Sequence, residues 1–109
     1  TARACAYLQP DLTHCFGLTG LLAVAQAAEA EQMLMAPHNA GGPLCTAATL
    51  QADALMNNFL IQETNHFWLS IYDSYVEHDW QVQDGYIALS DAPGLGVEVN
   101  VGGLGPSGA

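Results

Sequence analysis

The sequence predicts an α/β fold, a partial (β/α) barrel of three parallel strands followed by a smaller layer. Three observations carry this. Short apolar runs alternate with helical patterns, each run ends in one ionisable residue, and those residues recur at nearly even spacing. Asp11 and His38 lie 27 residues apart, His38 and Glu63 25 apart. Connections this short, strand to helix to strand, require parallel pairing with right-handed crossovers. Parallel strands then bring all three ends to one edge. A repeat of this length suits the unit of a barrel in which about 250 residues supply eight. Three strands cannot close such a barrel, so an isolated chain is expected to expose open edges, to aggregate through them and to be inactive.

Each element has its own signal. Ala4-Cys5-Ala6-Tyr7-Leu8 is an apolar run ended by Gln9-Pro10-Asp11 and reads as a strand buried on both faces. From Leu18 to about Glu31, Leu18, Leu21, Leu22, Ala25 and Ala28 recur at helical spacing, with Gln26, Glu29 and Glu31 opposite. Met33 to Ala36 is a second strand, ended by Pro37 and His38. Pro43 suits the first position of a second helix, where its missing N–H costs nothing; that helix is expected to run to about Asn57, with Ala48, Leu55 and Met56 inward. Asn58 to Ile61 is the third strand, ended by Gln62-Glu63.

Past Glu63 the character changes. His66 to Tyr72 is aromatic-rich and Tyr75 to Asp79 polar. Trp80–Gln83 and Tyr86–Leu89 alternate around Asp84-Gly85, a pair suited to positive φ, which predicts a hairpin. A turn at Ala92-Pro93-Gly94 leads to a short strand ending at Val99. The expected division is residues 1–64 for the barrel part, 65–101 for a layer over its mouth, and 102–109 for a flexible Gly-rich tail.

Composition narrows the function. The chain has 109 residues, half of them hydrophobic, a net charge of −10 and one basic residue, Arg3. That charge argues against nucleic acid and anionic membranes as partners. A site for an anionic substrate would need a metal ion or basic groups that Arg3 alone cannot supply. Cys5, Cys15 and Cys45 show no C-x-x-C pairing and sit in apolar contexts, so reduced core thiols and a cytoplasmic protein are expected. No apolar run nears the ~20 residues of a membrane span. The start at Thr1, without Met, points to a fragment.

The chemistry concentrates in Asp11, His38 and Glu63. An aspartate on the neighbouring strand would take one ring N–H of His38 and leave the other nitrogen as a base. A glutamate on the next strand, if protonated in a dry mouth, can donate to a developing enolate oxygen. The trio suits abstraction of a proton next to a carboxylate, a step that also calls for a divalent metal, and no cluster here would bind one. His14 and Asn39 lie near the same end and are weaker candidates for substrate contact; Asn39 equally suits holding the His38 loop. His66, His78, Trp68, Trp80 and the tyrosines read as surface or packing residues, and Glu77, Asp79 and Asp84 as a solvated face.

These residues also carry a resemblance. Gln9-Pro10-Asp11, Gly17-Leu18-Thr19, Ala36-Pro37-His38-Asn39, Gly42-Pro43, Ile61-Gln62-Glu63 and Pro93-Gly94-Leu95-Gly96-Val97-Glu98, in this order, resemble the C-terminal third of an enolase-superfamily enzyme of the mandelate racemase/muconate lactonizing enzyme type. The likeness is nearest to sugar-acid dehydratases of the galactonate dehydratase kind and spans about residues 4 to 99. It implies a (β/α)7β barrel whose last three strands are here, together with a C-terminal piece of the capping domain. It also implies an Asp11–His38 dyad with His38 as general base or acid, and Glu63 on the substrate carboxylate and its enediolate. The implied cofactor is Mg²⁺, with its ligands upstream of this chain. The implied reaction removes the proton at C2 and the hydroxyl at C3 of a sugar acid, giving a 2-keto-3-deoxy acid. The full enzyme is expected to be a homo-oligomer.

Two alternatives stand beside this: a racemase, epimerase or cycloisomerase on the same scaffold, and a non-catalytic fragment or binding module. Two positions depart from the resemblance. Phe16 stands where glycine is common, and Gly20 where glutamate often follows.

Overall fold

The computed structural model describes residues 4–104. Strand β1 (Tyr7–Leu8) leads through a turn into helix α1 (Gly17–Ala30), then strand β2 (Leu34–Met35) and helix α2 (Pro43–Asp53). Strands β1 and β2 pair in parallel, Tyr7 opposite Leu34 and Leu8 opposite Met35. A third segment joins by a parallel bridge between Met35 and Phe59, flanked by backbone bonds from Met35 to Asn58 and from Leu60 to Met35. Three consecutive segments thus run side by side, as the βα repeat requires. Among the described residues no helix is long and apolar enough to cross a membrane.

The main core lies between these segments and the helices. Leu21, Ala25 and Ala28 of α1 and Ala48 and Ala52 of α2 meet Leu12, Met35 and Met56. Leu21 and Met35 are wholly buried, each contributing about 1.5–3 kcal/mol from burial. Alanines on both helices let the backbones approach closely, and Asn58 ties the layers together by donating to Ala25 O and Met33 O.

Several expectations are corrected. The first strand is not buried on both faces: residues 4–6 are exposed and Tyr7 is 57% exposed, because the helices cover one side only. Leu34, Phe59, Leu60 and Ile61 are likewise exposed. The cysteines are free; Cys15 and Cys45 are half-buried and pack against the main core, whereas Cys5 is exposed and is not a core thiol. Helix α2 stops at Asp53, where tighter turns such as Leu55 N to Ala52 O take over, and Leu55 is left exposed.

Beyond Glu63 come helix α3 (His66–Tyr72) and strands β3 (Val76–Glu77), β4 (Val82–Gln83), β5 (Tyr86–Ile87) and β6 (Glu98–Val99). The expected hairpin is β4–β5, with Asp84 at φ 53° and Gly85 at φ 81°. Strand β3 pairs antiparallel with β6. This segment packs on α2 through a second cluster of Ala47, Leu50, Tyr72, Val76 and Trp80. Of the expected tail, Gly102 to Leu104 belong to a 3₁₀ turn over Val101–Leu104, and the rest lies outside the described residues.

Candidate active site

The register that pairs β1 with β2 continues past both strands. His38 N donates to Pro10 O, and Asp11 bridges His38 in parallel, the same 27-residue offset that pairs Tyr7 with Leu34. On the other side Glu63 N reaches Pro37 O at 3.5 Å. Pro10 and Pro37 can accept but not donate, so the pairing thins here and ends in the Asp11–His38 bridge.

Asp11, His38 and Glu63 come together at that edge. His38 Nδ1 lies 2.8 Å from Asp11 Oδ2, and His38 Nε2 lies 3.8 Å from Glu63 Oε2. Asp11 is buried, whereas His38 and Glu63 are about half exposed, with side-chain exposures of 45% and 48%. Thr13 donates to Asp11 Oδ1 from its backbone N at 2.8 Å and also from its hydroxyl. Burial by itself would raise the Asp11 pKa; the bonds from Thr13 and His38 outweigh it and hold the carboxyl at about 2. The Asp11 hydrogen bond in turn raises the pKa of His38, assisted by the charge of Glu63. An ionised Asp11 that accepts from Nδ1–H selects the tautomer in which Nε2 carries the lone pair.

Glu63 is positioned by the loop it faces. Asn39 N donates to Glu63 Oε2 at 2.9 Å, so the backbone after His38 and the glutamate fix one another. The Asn39 side chain is buried and donates to Thr46 Oγ1 at 3.0 Å, which makes it a strut of the His38 loop. His14 is exposed in the turn after Asp11, its backbone N donating to Asp11 O. One contributor escapes sequence reasoning. Tyr72, from α3, donates its hydroxyl to Gly41 O and sits 3.4 Å from Thr46 Oγ1. Its only signal is a tyrosine in an aromatic-rich stretch.

Among the described residues no group of three or more His, Cys, Asp or Glu could hold a metal ion. Asp11 has both oxygens engaged by Thr13 and His38, and Glu63 gives one oxygen to Asn39 N, so no set of free carboxylates stands beside the histidine for a hard cation.

The family model described as enolase C-terminal domain-like matches residues 1–102. A D-galactonate dehydratase of Variovorax paradoxus (strain S110) is 38% identical over 101 residues, which cover 87% of this chain and 26% of the relative. Another D-galactonate dehydratase, from Verminephrobacter eiseniae (strain EF01-2), is 36% identical over 105 residues, 91% of this chain and 28% of its own length. Among solved structures, a mandelate racemase/muconate lactonizing enzyme from Jannaschia sp. CCS1 superposes with a TM-score of 0.84 at 29% identity, covering 91% of this chain and 25% of that one. An enolase-superfamily member from Agrobacterium tumefaciens gives 0.83 at 27% identity, over 92% and 26%. The chain spans about a quarter of the length of the curated relatives it matches.

Proposed function

The chain belongs to the enolase C-terminal domain-like family, and from that premise we propose that it is the C-terminal part of a sugar-acid dehydratase of the galactonate dehydratase kind. In this reading residues 1–64 supply the last three strands of a (β/α)7β barrel and residues 65–101 the end of the capping domain. The observation that carries it is the imidazole of His38 held between two carboxylates at the ends of parallel segments, Asp11 at 2.8 Å and Glu63 at 3.8 Å.

His38 Nε2 takes the proton from C2 of a sugar acid, and the C–H electron pair enters an enediolate on the substrate carboxylate. Asp11 stabilises the imidazolium that results and keeps the ring from turning. Glu63, steadied by Asn39 N, acts with substrate bound as the protonated acid, its O–H donating to the substrate carboxylate and its enediolate. Collapse of the enediolate expels the C3 hydroxyl, which leaves as water with a proton that His38 can return, and the enol tautomerises to a 2-keto-3-deoxy acid. Asn39 serves here as a loop strut, and His14, whose backbone N donates to Asp11 O, is assigned contact with one end of the substrate. The residues present do not fit Mg²⁺; its ligands are assigned to polypeptide outside these residues, and no step above passes through it.

The test is a panel of sugar acids incubated with the intact enzyme and Mg²⁺ and assayed for 2-keto acid, wild type against His38→Asn. Loss of about 10²–10⁴-fold is expected for the variant. A variant with unchanged turnover would defeat the assignment. An epimerised acid in place of a keto acid would move the reading to the racemase or epimerase alternative.

A further inference from the structure

A second hollow has neither Asp11, His38 nor Glu63 in its lining. The C-terminal end of α2, the segment around Leu60 and the β4–β5 hairpin border a half-open cleft of about 410 Å³, within the range of small-ligand pockets. Its walls are largely apolar, with Leu50, Phe59 and Ile87 among them, and two polar side chains, Asp53 and Gln62, line it as well.

Those two side chains have the same defect. Asp53 is 92% buried by its 8% exposure, and neither carboxylate oxygen has a hydrogen-bond partner among the described residues. Gln62 Oε1 is buried and unpartnered too. The Gln62 amide cannot be turned to cure this, because its nitrogen already donates to Pro37 O at 3.3 Å and Glu63 O at 2.8 Å. Three acceptor oxygens on residues of one cavity therefore lack donors. A buried carboxylate without a donor is among the most costly arrangements in a protein. Asp53 is also the last residue of α2, where the helix dipole already disfavours negative charge and favours a cation. Burial pushes the Asp53 carboxyl up to about 7 in the absence of such a partner. The sequence offers one basic residue, Arg3, which lies outside the described residues.

We propose that this cavity is a binding site for an alkylammonium or guanidinium group, its alkyl stem against the apolar walls and its N–H donors on Asp53 and Gln62. A lysine or arginine side chain of the intact polypeptide and a free primary amine share this chemistry. The site does not depend on the dehydratase reading, and its test needs no turnover.

The experiment is thermal unfolding of the intact protein, as wild type, Asp53→Asn and Asp53→Leu, each with and without n-butylammonium chloride against NaCl of equal ionic strength. A cationic side chain in the cavity predicts that both variants melt several degrees below wild type, Leu lower than Asn, since each strands a buried cation. The gap to Asp53→Asn then persists at mildly acidic pH, where an unpaired buried carboxylate is already protonated. A free amine as ligand predicts that butylammonium raises the melting temperature of wild type and leaves Asp53→Asn unmoved. The proposal is overturned if butylammonium shifts nothing while Asp53→Asn melts with wild type and Asp53→Leu melts higher. It is also overturned if a deficit in Asp53→Asn disappears on mild acidification, for the partner is then no cation.

Discussion

Residues up to Glu63 and residues after it are built on different terms. In the first region a single 27-residue offset runs from Tyr7 and Leu34 to Asp11 and His38, so backbone pairing alone delivers two functional groups to one place. In the second region, two-residue strands pair locally or across a long loop, and the packing is aromatic, with Tyr72 edge-on to Trp80 and His78 stacked on the same indole. The first arrangement fixes chemistry. The second contributes by contact, through Tyr72 and the cluster on α2, and the ion pair it holds, His78 Nε2 to Asp73 Oδ1 at 3.0 Å, joins two groups where the first region gathers three.

The sharpest way to break that contrast is Asp11→Asn. Removing the carboxylate frees the His38 ring to take the wrong tautomer, and a loss of about 10²–10⁴-fold in kcat/KM is expected. The pH profile moves as well. His38 must be neutral to act as base, and Asp11 raises its pKa, so the acidic limb of the variant should shift to lower pH. Stability carries the matching signature. Asp11, depressed to about 2, contributes stability above its unfolded pKa of about 3.9 that is lost as pH falls towards 2. His38, raised, contributes stability present below about pH 6.5 that is lost as pH rises through its folded value. Asp11→Asn should flatten both limbs in a pH series of thermal melts. An unmoved acidic limb would show that Asp11 does not tune His38.

Why the trio was legible follows from the same geometry. Strand, loop and helix lengths set where each strand ends, and Pro10 and Pro37 mark two of those ends within the sequence. Burial was less legible, because an apolar run such as residues 4–8 does not say how many sides are covered; here α1 and α2 cover one. Helix α3 is not legible, although Asn65 is a good N-cap whose side chain accepts from Phe67 N, because His66 to Tyr72 is too apolar and aromatic to show a helical period. Strand β3 hides in a polar stretch because its partner, β6, lies some twenty residues on, and a two-residue pairing leaves no alternation to read. Asp53 carried no signal in the sequence at all; its interest comes from a cavity formed by segments far apart in the chain.

A change in the second region that reaches the first is Tyr72→Phe. The hydroxyl it removes joins α3 to Gly41 O and Thr46, and Thr46 holds Asn39, whose backbone steadies Glu63. Loss of one buried hydrogen bond should cost about 1–2 kcal/mol in thermal unfolding. It should also lower kcat/KM several-fold without moving the pH limb, since the dyad is untouched. Tyr75→Phe, at an exposed position, is the control that should change neither. Equal activity in both variants would mean that the aromatic segment does not support the site.

The smallest effect tests the turn that feeds α1. Phe16 caps that helix in the left-handed region, φ 67°, with its ring 95% exposed, so it bears the steric cost of that conformation and gains nothing from packing. Glycine there should stabilise the protein by about 1 kcal/mol, the left-handed penalty of an ordinary residue. The same turn brings Cys15 O across the start of the helix, where a Cβ on Gly20 would lie 1.5 Å from it. Any side chain at position 20 therefore needs this turn to open, and Gly20→Ala should cost about 1–3 kcal/mol. Phe16 and Gly20 thus belong to one feature. The double variant decides it: if Phe16→Gly lets the turn relax, the cost of Gly20→Ala in that background should shrink, and simple additivity in thermal unfolding would show the two positions to be independent.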